Sequence, residues 1–406
     1  MADIDYDVAI IGGGPAGLST ARKCAKNGIK TVVFEEHPVV GVPLACGEGV
    51  SISKLTELGI PFEDKTRNSE KKLSAYIERY VKLQRFYFSQ GGVAVSQLDT
   101  VTIDRPKFDR YLAAAATTNG AEVFTSHSVR DLSFKTDRVV LKVMHGDGEE
   151  NDISTRIAVA ADGPSARMSK KAGLQPPEDY VQGVEKKIEG IHTDALEFYF
   201  DFDLLPGGYG WVFPKQNDTN IGIVLNPAKN PRERLEKFIK TVINEDQDII
   251  EKQMIAGIIP ASGPVEKPYK ERFLVVGDAG GFTNSIFYGG IAIGIHTGYL
   301  AAQVIKLALK RDDFSERMFA NYAGLLQNMP YTKPIIKKAH DLMYNHFTNE
   351  DLVKAGKVID GSDITHLGYT GKIRLGMKAL LSPMRKNLGD FRLIMKGFKQ
   401  SRDWGF

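Results

Sequence analysis

The chain has 406 residues, 42% of them hydrophobic and 25% charged, with a formal net charge of +3. That length predicts two or three domains rather than one. So small a net charge gives no ground for nucleic-acid binding, no apolar run reaches the ~18–20 residues that span a bilayer, and two cysteines, Cys24 and Cys46, exclude a disulfide framework and fit a reducing, intracellular setting.

The N-terminus enters a strand with no basic stretch ahead of it, so no signal peptide is expected and the expected location is cytoplasmic. "YDVAIIGGGPAGLSTARKCAKNGIKTVVFEE" reads as strand (8–11), glycine turn, helix (15–27) and strand (31–34). Small residues Ala16, Ala21 and Ala25 let the helix lie close to a sheet, and Cys24 reads as a small buried hydrophobe within it. Gly12-x-Gly14-x-x-Gly17 between strand and helix is the dinucleotide fingerprint. Gly12 permits the turn, Gly14 admits a pyrophosphate, Gly17 allows close packing, and the helix opened by Pro15 and Ala16 points its free N–H groups at the phosphates. Glu35, 18 residues after Gly17, is placed to accept from ribose hydroxyls, which favours FAD or NAD over a 2′-phosphate.

Next, "VVGVPLACGEGV" sets Cys46 in a glycine-rich loop. Its thiol either takes part in chemistry or is packed. Residues 50–100 carry alternating, strand-like stretches, "IDRPKFDRYLAAAATTNGAEVFTSHSV" gives a helix and a strand, and "RIAVAADGPSAR" gives a buried strand ending on Asp162-Gly163. From about 180 to 265 the pattern is β. Within it Tyr209, Trp211 and Phe213 alternate and therefore share a face, as core or as a cavity wall. "VVGDAGG" puts Asp278 at another strand end, where it can hydrogen-bond the ribityl chain of a flavin; with Asp162 and the fingerprint in this order, FAD is preferred. The helix after Gly289-Gly290-Ile291 carries His296, read as a packed residue. From 315 onward the chain is helical and increasingly basic, with nine Lys/Arg against two Asp/Glu between 371 and 406. No grouping of Cys, His and acidic residues has metal-ligand spacing.

The expected fold class is α/β: a Rossmann-type, discontinuous FAD-binding domain (1–50, 100–180 and 265–315), a β-rich substrate domain (51–99 and 181–264), and a helical, basic C-terminal region (316–406). The order of these motifs resembles the two-domain flavoproteins related to aromatic hydroxylases. Tyr209-x-Trp211-x-Phe213-Pro214 followed by Gly222, the loop from Pro43 to Gly49, and "RPKFDRYL" with Arg105 together resemble the geranylgeranyl reductase family over about residues 5–325. Three departures stand out: Val224 where the family often has glycine, no proline in "NSIFYGGI", and Tyr288 in place of the first glycine of the G-G-G-I run.

The resemblance implies FAD-dependent saturation of isolated prenyl C=C bonds by hydride transfer plus protonation. It makes Cys46, Glu48 and Tyr209 the catalytic candidates, Cys46 as proton donor, relay or packing residue. It implies that Cys46, Gly47, Gly49, Arg105 and Gly289 to Ile291 contact the flavin, the last three through N–H groups at its N1–C2=O edge. Tyr209, Trp211, Phe213, Gly222 and Tyr288 would bound the prenyl chain. A prenylated lipid or prenyl diphosphate is the implied substrate, with NAD(P)H, ferredoxin or another reductant left open. The basic segment would suit a peripheral contact with an anionic membrane or simply be a solvated helix face. Two alternatives share the frame: a flavin monooxygenase or halogenase, against which the CGEG loop speaks, and an electron-transfer protein acting on quinones.

Overall fold

The computed structural model describes residues 4–42, 46–64, 72–227, 229–243, 248–364, 377, 388–401 and 404–405. Pro43 and much of the basic C-terminal segment lie outside the described residues. The chain opens with β1 (Tyr6–Ile11), α1 (Pro15–Lys26) and β2 (Thr31–Phe34). β3 (Gly49–Ser51), α2 (Ile52–Glu57), the short β4 (Glu63–Asp64) and β5 (Lys72–Leu73), and the long β6 (Ile77–Phe88) and β7 (Gly92–Ile103) follow. α3 (Arg105–Thr118) leads to β8 (Glu122–Phe124), β9 (His127–Phe134), β10 (Val139–His145), β11 (Glu150–Ala160) and α4 (Arg167–Lys171). Then come β12 (Tyr180–Glu189), β13 (Ala195–Phe200), β14 (Gly210–Pro214), β15 (Thr219–Leu225), α5 (Pro231–Val242), β16 (Ile250–Glu251), β17 (Ile255–Pro260), β18 (Tyr269–Lys270) and β19 (Phe273–Val275). Among the described residues the chain then runs through α6 (Ile291–Arg311), α7 (Glu316–Gln327), α8 (Pro334–His340), α9 (Asn349–Ile359) and α10 (Leu388–Ser401).

Two large sheets organise most of these elements, and β4 and β5 pair separately with each other. In the first, β19, β11, β1, β2 and β8 run parallel. The middle strands are buried on both faces, which is why they read as short apolar runs. A second sheet has the order β16-β12-β15-β14-β13-β6-β7-β3, with β17 also on β12. It is antiparallel except for the β13–β6 pair. β3, immediately after the Cys46 loop, pairs with β7 and so ties that loop to the second sheet.

α1 and α6 cross closely because a Cβ on Gly298 would lie 2.6 Å from the Ala16 carbonyl oxygen. α6 is long and apolar enough to span a bilayer by length and composition, contrary to the expectation that no segment is; most of it is buried in this core. Its His296 stacks on Trp404 and meets the Tyr331 hydroxyl, a packed residue as expected. α5 interrupts a stretch expected to be wholly β. Pro231 starts it, and Leu235, Phe238 and Ile239 pack under the second sheet, where Gly210 leaves room for the Phe238 ring. α10 turns Phe391, Ile394 and Gly397 inward and sets the Phe398 ring 5.0 Å from Phe287. Its buried apolar residues are therefore used in packing, while Arg392, Lys396 and Lys399 are exposed beside Asp390 and Gln400.

Candidate active site

The glycine turn after β1 is built for close approach. Gly12 has φ +111°, and a Cβ there would lie 2.2 Å from the Ala161 carbonyl oxygen, while a Cβ on Gly17 would strike the Gly12 carbonyl. Gly17 therefore packs the turn and lines neither of the two cavities beside it, whereas a Cβ on Gly14 would meet only open space. Gly14 caps α1, with Pro15 and Ala16 in its first turn. On one side lies a cavity of about 230 Å³ lined by Gly12, Gly14, Glu35, His37, Arg105 and Asp162, among others. Glu35 accepts from the Gly13 N–H (2.7 Å) and from His37 (2.6 Å), which fixes its carboxylate at the far end of this space. Asp162 accepts from the Met168 N–H through Oδ2 (3.0 Å), while its buried Oδ1 has no partner among the described residues.

Gly14, Arg105, Ala161 and Gly163 also line a second cavity of about 460 Å³, so the two join end to end. Around it stand Pro15, Ala16, Cys46, Gly47, Gly49, Asp278, Gly289, Gly290 and Ile291. Gly290 caps α6 and aims the positive end of that helix at the cavity. A Cβ at 290 would lie 2.9 Å from Asp278 Oδ1, so only glycine leaves the carboxyl room. Burial pushes that carboxyl up to about 6 against the opposing pull of Arg105. Arg105 itself is clamped by Asp109 through Nε (3.0 Å) and Nη2 (2.9 Å).

Opposite α6 is an aromatic wall: Tyr209, Trp211 and Phe213 with Phe198 and Phe287. Neighbouring rings of the motif trio are 6.4 Å apart. The period-two pattern does put them on one face. Tyr209 donates its hydroxyl proton to the Phe287 carbonyl (2.5 Å), so the ring walls the cavity and the hydroxyl braces the 287 backbone; a catalytic role for it is corrected to a structural one. Gly222, expected at the substrate, lines neither cavity. It sits opposite Trp211 across β14–β15 and makes room for the indole. Val224, at a family glycine position, lines the wall. Tyr288 has a left-handed backbone (φ +56°) and stacks on Tyr209, with its hydroxyl 3.3 Å from His340 Nε2.

Cys46 lines the same cavity, its Sγ accepting from the Glu48 N–H (3.3 Å). Burial raises the thiol pKa, Arg105 opposes this, and the Glu48 and Glu185 carboxyls add to it. Glu48 is not placed to give up a proton. Its carboxylate pairs with Lys215 and Lys187 and accepts from the Arg105 N–H (3.1 Å), which makes it the loop's buried anchor instead of an acid.

A family model described as FAD binding domain matches residues 5–279. A digeranylgeranylglycerophospholipid reductase of Methanocaldococcus jannaschii is 31% identical over 88% of this chain and 93% of its own. This chain belongs to the digeranylgeranylglycerophospholipid reductase family. A geranylgeranyl bacteriochlorophyll reductase-like protein of Thermoplasma acidophilum superposes with a TM-score of 0.82 at 26% identity, covering 95% of this chain and 99% of the other. A p-nitrophenol 4-monooxygenase of Pseudomonas putida shares the fold at 18% identity and a TM-score of 0.69, over 97% and 99% of the two chains.

FAD is the cofactor of this reductase-family chain, and the residues fit it. The joined cavities, the open side of Gly14 and the unpartnered Asp162 Oδ1 are what a dinucleotide requires. Sequence reasoning missed Lys215, Glu185 and Asn220, which hold the Cys46 loop from the second sheet, and Ile255 to Ile259 on β17, which line the cavity. Their positions carry no motif spacing; only the strand register reveals them.

Proposed function

We propose that this chain is an FAD-dependent reductase that saturates isolated C=C bonds in the geranylgeranyl chains of a glycerophospholipid precursor. One observation carries the reading: a single cavity is bounded by the N-terminus of α6, the aromatic wall and Cys46, and runs on into the nucleotide cleft. When bound, reduced FAD supplies the hydride. An isolated alkene has no carbonyl to polarise, so the protein must position the chain, exclude water and supply a proton.

Tyr209, Trp211 and Phe213 bury the prenyl chain, each enclosed CH₂ contributing about 0.8 kcal/mol. N–H groups at Gly289, Gly290 and Ile291 offer a positive helix end where negative charge develops. Cys46 holds a proton on Sγ, as donor or relay, because burial keeps the thiol protonated. The outward Arg392, Lys396 and Lys399 support a peripheral contact with the anionic cytoplasmic face of a membrane, where such a substrate resides. Mass spectrometry of lipid co-purified with the protein, before and after dithionite reduction, tests the reading. It expects prenyl lipid that gains two hydrogens per double bond; lipid of unchanged mass in the fully reduced protein contradicts it.

A further inference from the structure

The face of the second sheet that looks onto Cys46 is set by register. Trp211, Gly222 and Glu185 stand in one cross-strand row of β14, β15 and β12, and Phe213, Asn220 and Lys187 in the next. Residues directly opposite one another share a face, so these side chains converge on one area. Two of them reach the Cys46 peptide. Glu185 Oε2 accepts from the Cys46 N–H (3.2 Å), and Asn220 Nδ2 donates to the Cys46 carbonyl (2.9 Å). Asn220 Oδ1 in turn accepts from the Trp211 indole N–H (2.9 Å). Asn220 is fully buried and Glu185 is 3% exposed, so both grips are made by side chains held inside the protein.

We infer that Glu185 and Asn220 are positioning residues that grip the Cys46 peptide from both sides and fix its thiol relative to the Trp211 ring. This rests on the reading of Cys46 as the proton-holding group. Because the same amide holds both Cys46 and the indole, the wall that registers the alkene and the thiol that faces it move as one unit. Gly47 lies over this wall, where a Cβ would meet Phe213 at 3.1 Å, so the absence of a side chain lets the loop sit close to the rings.

Glu185 adds a charge condition. Its burial, and the Glu48 carboxylate beside it, push its carboxyl up to about 8, opposed by the Cys46 N–H, Asn220 and Lys187. The thiol itself faces Arg105, Glu48, Glu185 and the Tyr209 ring. Arg105 is paired with Asp109, and Glu48 with Lys215 and Lys187. Below that pH Glu185 is a neutral acceptor; above it, a second anion beside the thiol makes thiolate formation harder.

The test is iodoacetamide alkylation of the FAD-loaded protein, read by mass at Cys46; Cys24 is fully buried in α1. Glu185→Gln keeps an oxygen for the Cys46 N–H but cannot ionise. It is expected to alkylate at the wild-type rate near pH 6.5 and about threefold to tenfold faster near pH 9.5, since removing a nearby like charge favours the thiolate. Asn220→Ala frees the peptide and is expected to alkylate faster at both pH values. It should also lower single-turnover alkene reduction about tenfold with KM changed less than about threefold, the signature of misplacement rather than lost binding. Wild-type alkylation rates in Glu185→Gln at high pH overturn the charge relation, and wild-type rates in Asn220→Ala overturn the grip. If Asn220→Ala does not fold, Asn220→Ser, a smaller polar side chain that no longer reaches the Cys46 carbonyl, takes its place in the same alkylation and turnover measurements, and wild-type rates in it overturn the grip. The predicted alkylation pattern with no alkene reduction by any form, wild type included, supports the grip and sinks the functional reading instead.

Discussion

The Trp211 indole lies directly across β14–β15 from Gly222, and a Cβ on Gly222 would come within 2.1 Å of its Cζ2. The glycine is a seat for the ring that walls the cavity. Gly222→Ala therefore must push the indole into the prenyl space or part the strands, at about 1–3 kcal/mol. The expected outcome is a lower melting temperature and a raised KM for prenyl lipid, with flavin absorbance per protein retained. Kinetics and thermal unfolding of the purified variant check it.

Gly12→Ala is expected to act at the opposite end. The positive φ and the 2.2 Å approach to Ala161 leave no place for a methyl group, so the turn that receives the pyrophosphate must deform. The variant should purify with little flavin, and added FAD should restore it poorly. Flavin absorbance and a binding titration measure this.

Glu185 predicts a pH dependence of stability with a definite sign. Its folded-state carboxyl is raised from 4.5 to about 8, so between those values the folded protein holds a proton that the unfolded chain has lost. Stability contributed by this group is thus present below pH 4.5, declines as pH rises toward 8 by up to about 1.4 kcal/mol per pH unit, and is constant above it. Relative to Glu185→Gln, the wild type should lose unfolding free energy from pH 5 to pH 8. Parallel slopes in denaturant titrations of the two proteins would contradict the assignment.

At the C-terminus, α10 separates packing from charge. Replacing Arg392, Lys396 and Lys399 with Gln should reduce flotation with anionic vesicles, each charge near the surface being worth about 1 kcal/mol, while leaving the melting temperature near the wild-type value. Phe398→Ala, which removes the ring against Phe287, should do the reverse: unfold earlier, by about 3 kcal/mol or more, and float as before.

The parts legible in the sequence were those whose physics is local. β1, α1 and β2 announce themselves because a parallel strand buried on both faces is an unbroken apolar run, and because the glycine turn has a fixed spacing. Tyr209, Trp211 and Phe213 share a face by period alone. What the sequence did not expose depends on register between distant strands. Glu185 looks like one polar residue in "QGVEKKIEG", and Asn220 like part of a turn, until β12, β14 and β15 are aligned. Lys215 acquires meaning only when Glu48 is brought to it, and that same pairing removes Glu48 as an acid. α5 was hidden because a single amphipathic helix in a β-rich stretch has only Pro231 and four apolar positions to mark it. α10 looked amphipathic enough for a membrane, yet its apolar face was already taken by Phe287 and Ala339.

The most direct test is an anaerobic single turnover of the dithionite-reduced, FAD-loaded protein with a digeranylgeranyl glycerophospholipid, comparing wild type with Cys46→Ala at equal flavin content. Wild type should yield lipid with two hydrogens added at each saturated bond, and the variant should be slower by about 10²-fold or more, as expected for loss of a positioned acid. Unreacted lipid beside reduced flavin in the wild type, or a hydroxylated product formed only when oxygen is admitted, would contradict the account; equal rates in both proteins would remove the thiol from it.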